Sequence, residues 1–97
     1  MAKYELTKEA VDDLYLIWEY TNETWSERMA DRYYAGLVSA FQFIASKSSV
    51  GRPYDEIFPG LRGFRKSHHI IFYTVQSSGN ILIVRVLHEM MDFKRHL

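Results

Sequence analysis

The sequence contains no cysteine, which removes disulfides, thiolate nucleophiles and cysteine-based zinc sites. No apolar stretch approaches the ~18–20 residues that a membrane helix needs. The N-terminus, MAKYELTKEA, carries no apolar run behind its first Lys, so it does not read as a secretory signal. A soluble, cytoplasmic chain with no membrane contact is the expectation. The formal net charge is +0, so charge alone gives no pull toward nucleic acid, and direct sequence-specific DNA binding is not expected. There is no P-loop, no glycine-rich dinucleotide fingerprint and no G-x-S-x-G elbow, and no internal repeat. No cofactor is expected.

What is present fits a small globular domain. A length of 97 residues predicts one domain, spanning 1–97, and a chain this size buries only about two-thirds of its unfolded surface. Seven Tyr, six Phe and two Trp are more than so small a core hides easily, so some should mark a partner surface. The charge is also uneven. Residues 1–51 hold five Lys/Arg against eight Asp/Glu, while residues 52–97 hold seven against four, plus all four His.

The hydrophobic period gives the elements. Lys3–Leu6 reads as a short strand leading to Thr7, a helix N-cap with Glu9 in the first turn. Val11, Leu14, Trp18, Thr21 and Trp25 form one stripe of a helix from Lys8 to about Thr24, and Ala10, Ile17 and Tyr20 form a second. Ser26 caps another helix to about Ala45, with Ala30, Tyr33, Leu37, Ala40, Phe41 and Ile44 inward and Met29, Tyr34, Val38 and Ala45 widening the apolar face. The short junction at Trp25–Ser26 makes the pair an antiparallel hairpin. Lys47–Gly60 holds both prolines and reads as a loop. Thereafter the period falls to two: Leu61–Ser67, His69–Gln76 and Ile81–His88, with a turn at Ser77–Asn80, predict an antiparallel meander. Its near-continuous apolar centre predicts cover on both faces. Glu89–Leu97 is a polar tail with room for one helical turn. The order β-α-α-β-β-β is α+β, a helix hairpin packed on a small antiparallel sheet that the first strand joins.

Five segments in this order, YELTKEAVDDLYLIWEYT, ADRYYAGL, GRPYDEIFPGLRGF, HHIIFYTV and RVLHEMMDFKRHL, resemble the RelE/ParE toxin superfamily, and within it the ParE branch. The resemblance spans nearly the whole chain. It implies a toxin of a type II toxin–antitoxin module, neutralised by a ParD-like antitoxin whose disordered arm folds on the toxin, with DNA gyrase as the target. RelE-like relatives instead cleave messenger RNA on the ribosome, and a third possibility is an inactive member kept for antitoxin binding.

Metal-free RNA cleavage needs a base, an acid and cations around the developing phosphorane charge. The resemblance places Arg65 and Arg85 where RelE-type enzymes bind phosphate, and His88 where some carry a catalytic His. Glu89 then stands where those enzymes often have an aromatic, and Lys47–Gly60 holds only Lys47 and Arg52 as cations. Each candidate also has a plain reading: Arg85 as a strand residue pairing an acid, His88 as a hydrogen-bonded strand end, His68 and His69 as turn or packing residues. His88, Asp92 and His96 match no standard metal spacing, so no metal is expected.

The stronger signal is surplus apolar surface on the hairpin. Leu14, Tyr15, Trp18 and Trp25, with Tyr33, Tyr34, Leu37 and Phe41, exceed what one thin sheet covers, and Trp and Tyr favour interfaces. An amphipathic antitoxin helix in a groove between the helices, with a strand added at the sheet edge, would use them. Its acidic residues would meet Arg62, Arg65 and Arg85. The competing reading, strongest for Leu14, Leu37 and Phe41, is that this stripe is the chain's own core.

Overall fold

The structure, a computed structural model, describes residues 3–97. Its elements are β1 (Tyr4–Leu6), α1 (Lys8–Thr24), α2 (Glu27–Ser46), a 3₁₀ turn (Ser48–Val50), β2 (Arg52–Pro53), β3 (Arg62–Lys66), β4 (His69–Val75), β5 (Ile81–His88) and α3 (Phe93–His96). The expected α+β hairpin-on-sheet architecture is present. The sheet order is β1-β5-β4-β3-β2. β3, β4 and β5 form the antiparallel meander. β1 joins it parallel to β5, with Tyr4 opposite Ile81 and Leu6 opposite Ile83, so the sheet is mixed. The segment expected to be all loop contributes β2, which pairs only with Arg62 and Gly63. Pro53 is tolerated there because β2 is an outer edge.

Both helices start on the caps that the sequence supplies. Thr7 accepts a hydrogen bond from the Ala10 amide at 3.1 Å and donates its hydroxyl to the Val84 carbonyl at 2.7 Å, capping α1 and fastening it to β5. Ser26 accepts from the Met29 amide at 3.1 Å. The inward line of α2, Ala30, Leu37, Ala40, Phe41 and Ile44, is buried. On α1 the expected line is rotated. Ala10 and Asp13 are buried, Leu14, Ile17 and Thr21 are half-buried, and Val11 and Trp25 are exposed. The helix turns its acid inward because Asp13 has a specific bond to make, described below.

The helices cover one sheet face, where Phe41, Ile44 and Leu37 pack on Ile71, Tyr73, Ile81, Ile83 and Val86. Each such side chain contributes about 1.5–3 kcal/mol by leaving water. The other face, Ile70, Phe72 and Leu87 with Leu61, is covered by Tyr54, Ile57, Phe58, Phe93 and Leu97. β4 therefore reads Ile-Ile-Phe-Tyr without alternation because both sides are dry. Pairing passes from Phe72–Arg85 to Tyr73–Ile83, which leaves Val84 as an extra residue. This bulge shifts the parity of β5, so that Ile83 and Val86 face the same core. Gly51 is required by packing: a Cβ there would lie 2.5 Å from the Tyr73 hydroxyl, which accepts from the Gly51 amide at 2.8 Å and donates to the Ser48 carbonyl at 2.6 Å. Among the described residues no helix is long and apolar enough to cross a membrane.

Candidate functional site

The α1–α2 junction creates an open groove. Trp25 ends α1 and Ser26 begins α2 with no intervening loop, and the Trp25 side chain stays 71% exposed. Trp18 links the two helices, its indole donating to Asp31 Oδ1 at 3.0 Å. Between the hairpin and the ends of β3, β4 and β5 lies a groove of about 780 Å³. Leu16, Ile17, Tyr20, Trp25, Met29 and Met91 form its apolar part, and Arg32, Tyr33, Lys66, His68, His69 and His88 its polar part. Leu16, Tyr20, Met29 and Met91 are exposed, an apolar surface of the kind that marks binding sites.

The polar floor is ordered. His69 and His88 face each other across β4 and β5, their ring centroids 5.4 Å apart and edge-on. Tyr33 bonds His69 Nδ1 at 2.6 Å and reaches the Lys66 carbonyl at only 3.4 Å. The second distance is too long for a good O–H···O bond, so the phenol donates to the imidazole. Burial, and then the neighbouring His88 and His68, push the His69 pKa down to about 4, and burial raises that of Tyr33. His88 Nδ1 accepts from the Met90 amide at 3.1 Å. Glu89 binds His68 at 2.8 Å and also pairs with Arg65; the His68 bond, and then Arg65, hold its carboxyl below the usual range.

Of the residues expected at an RNA-cleaving centre, Arg85 is drawn away to Asp13, whereas Arg65 pairs with Glu89, which binds His68, whose ring stacks on that of His88 at 6.3 Å. Arg85 donates from Nε and NH2 to the two Asp13 oxygens at 2.8 Å each, and from NH1 to the His96 carbonyl at 2.8 Å. That bond to Asp13 holds its guanidinium further above the ordinary value. Asp13 also accepts from the Val86 amide at 2.9 Å, sealing the edge of β5 where β1 ends. Arg65 is held by Glu89 and the Ser67 carbonyl, and only His88 lies in the groove. Among the described residues no three His, Asp or Glu side chains are placed to hold a metal ion.

The partner-surface expectations divide. Trp25 and Tyr33 line the groove. Tyr15 and Tyr34 are 63% and 41% exposed but lie outside it. Trp18 is half-buried against Asp31. Leu37, at 1% exposure, belongs to the core, and Leu14 packs against it; the demand of the sheet for cover outweighs any partner there. Arg62 donates to the Gly51 carbonyl at 2.6 Å and has no acidic partner among the described residues, Arg65 pairs with Glu89 at the surface, and Arg85 is held by Asp13. One stretch of sheet edge left unpaired is Phe64–Lys66, beyond the reach of β2. Sequence reasoning missed Leu16, Tyr20, Met29 and Met91 as groove residues, although the second α1 stripe through Ile17 and Tyr20 pointed to that side.

Comparison with known proteins now fixes the lineage. The family described as ParE toxin of type II toxin-antitoxin system, parDE, matches residues 4–93. Toxin ParE1 of Mycobacterium tuberculosis is 38% identical over 96 residues, 99% of this chain and 98% of that protein. Toxin ParE of Escherichia coli is 35% identical over 97 residues, covering 100% and 94%. Among solved structures, the chromosomal ParDE TA system from P. aeruginosa superposes with a TM-score of 0.76 at 18% identity, covering 91% of this chain and 96% of that one. The toxin–antitoxin complex RelBE2 from Mycobacterium tuberculosis gives 0.68 at 19%, covering 90% and 96%; at these identities both show the shared fold. By sequence match along almost its entire length, the chain belongs to the ParE family of type II toxins.

Proposed function

We propose that this chain is the toxic half of a toxin–antitoxin pair, silenced by a ParD-like antitoxin whose folding arm fills the groove, and that it acts by binding DNA gyrase rather than by cutting RNA. The observation that carries the reading is the open apolar groove beside Trp25, Tyr20 and Met29. An amphipathic helix lays its apolar face into such a groove, and a disordered arm can wrap further, onto the open edge at Phe64–Lys66. Both structural relatives are toxin–antitoxin assemblies, which supports an antitoxin partner here. The commitment of Arg85 to Asp13 in a largely buried pair favours action by binding, because RNA cleavage needs cations free to meet phosphate.

The test uses the purified chain in two assays, supercoiling by gyrase and cleavage of ribosome-bound messenger RNA. Inhibition of gyrase with intact transcripts, relieved by a stoichiometric ParD-like antitoxin, is expected. Cut transcripts, with the cutting lost in His88→Ala, would replace this reading with the ribonuclease.

A further inference from the structure

The groove is chemically lopsided. Among the described residues no Asp or Glu lines it, whereas Arg32, Lys66, His68, His69 and His88 do; Glu89 stands behind the lining His68 at 2.8 Å. Among the described residues Arg32 and Lys66 have no acidic partner, unlike Arg85, held by Asp13 in a largely buried pair, and Arg65, paired with Glu89 at the surface. Lys66 also passes close to α2, its Cε beside Gly36. The imidazoles add neutral donors. His88 Nδ1 accepts from the Met90 amide, and the 2.6 Å contact between Tyr33 and His69 Nδ1 fits a phenol that donates to the ring. An imidazole that accepts at Nδ1 carries its proton at Nε2, so each ring offers an Nε2–H.

We propose that this end of the groove reads a carboxylate: the segment that fills the groove carries, beside its apolar residues, an Asp or Glu that takes the His69 and His88 N–H groups and faces the charges of Lys66 and Arg32. The proposal rests on the groove being the partner site and adds what the partner must present. Carboxylate is the chemistry that matches paired donors beside fixed cations, since charge-assisted hydrogen bonds are about twice as strong as neutral ones. A basic segment would meet repulsion from Lys66 and Arg32. His69 stays neutral at ordinary pH, so it contributes a donor, and the lasting positive charge comes from Lys66 and Arg32. Lys66 and Arg32 thus add to the cations expected to meet acidic groups, Arg62, Arg65 and Arg85, of which the last two already pair with acids.

A display library of 18-residue helical peptides, selected on the whole protein, tests this directly. Selected peptides should share apolar residues at helical spacing and one fixed Asp or Glu, and should lose binding to Trp25→Glu. By calorimetry, changing that Glu to Gln in a selected peptide should weaken binding about tenfold on the natural protein. The same change should cost less than twofold on a Lys66→Gln/His88→Gln variant whose melting temperature is unchanged; Arg32→Gln serves in its place if that variant melts early. Apolar peptides blocked by Trp25→Glu but lacking a fixed acid overturn the carboxylate reading and leave the groove as the partner site. An absence of binders, or binders indifferent to Trp25→Glu, overturns both.

Discussion

Two polar clusters sit along β5, and they differ in what they leave over. At the edge, Asp13 satisfies two arms of Arg85 and the Val86 amide, and Arg85 also holds the His96 carbonyl; every strong group there has a partner inside the chain. At the groove floor, Tyr33, His69 and His88 are ordered by hydrogen bonds but stand beside Lys66 and Arg32, which have no acid among the described residues. A closed cluster holds elements together, and one with charge to spare can meet something else. The sequence alone puts Arg85 and His88, three residues apart, in one candidate set. Strand alternation, which turns residues three apart to opposite faces, and the inward turn of Asp13 send them to different tasks.

The sharpest way to break the comparison is at the closed cluster. Asp13→Ala leaves the Arg85 guanidinium, whose side chain is only 21% exposed, without its counter-ion, and the Val86 amide without an acceptor. Losing one partner of a largely buried pair costs about 3 kcal/mol. Urea denaturation should show that loss, while affinity for a groove ligand, measured at a temperature where the variant stays folded, should remain within about twofold. If affinity fell and stability held, Asp13 would belong to the binding surface.

The groove should behave the opposite way. Trp25→Ala removes a mostly exposed ring, so stability should change by less than about 0.5 kcal/mol, while antitoxin affinity falls by about 2 kcal/mol as for a buried anchor. Trp18→Ala is the contrast, because its indole bonds Asp31 between the helices. It should cost about 1.5 kcal/mol of stability with affinity nearly unchanged. A titration in which Trp18→Ala weakens the antitoxin as much as Trp25→Ala would extend the interface around the hairpin.

Much of the fold was legible because local signals agreed with the tertiary demand. Thr7 and Ser26 cap the helices they were expected to cap, and HIIFYTV forms a strand with apolar cover on both faces. The parallel docking of β1 was not legible, since nothing in Tyr4–Leu6 encodes direction. The rotation of α1 was hidden because pattern reading counts Asp13 as a surface residue, and only a strand 73 positions away gives it a reason to turn inward. The site was half legible: Trp25 and Tyr33 could be named from surplus aromatic surface. Leu37 and Leu14 could not be separated from that surplus, because core and partner stripes share one helical period.

The smallest effect separates the clusters by pH. Burial first, then His88 and His68, lower the His69 pKa to about 4, whereas an unfolded chain would protonate that ring near 6.5. Below 6.5 the unfolded state therefore binds a proton that the folded state refuses, so stability is full above that pH and declines as pH falls toward 4. The ring is only partly buried and water screens much of the penalty, so the decline should reach about 1 kcal/mol by pH 4.5. Glu89, held low by His68 and Arg65, loses its own contribution only in more acid solution, and Arg85, held further above its ordinary value, does not titrate in this window. Urea midpoints at pH 7.5 and 4.5 should thus converge in His69→Gln relative to the natural protein, since glutamine keeps a polar group beside Tyr33 without taking a proton. An unchanged slope in that variant would mean that His69 is not held neutral and that the groove floor is as open to protons as the surface.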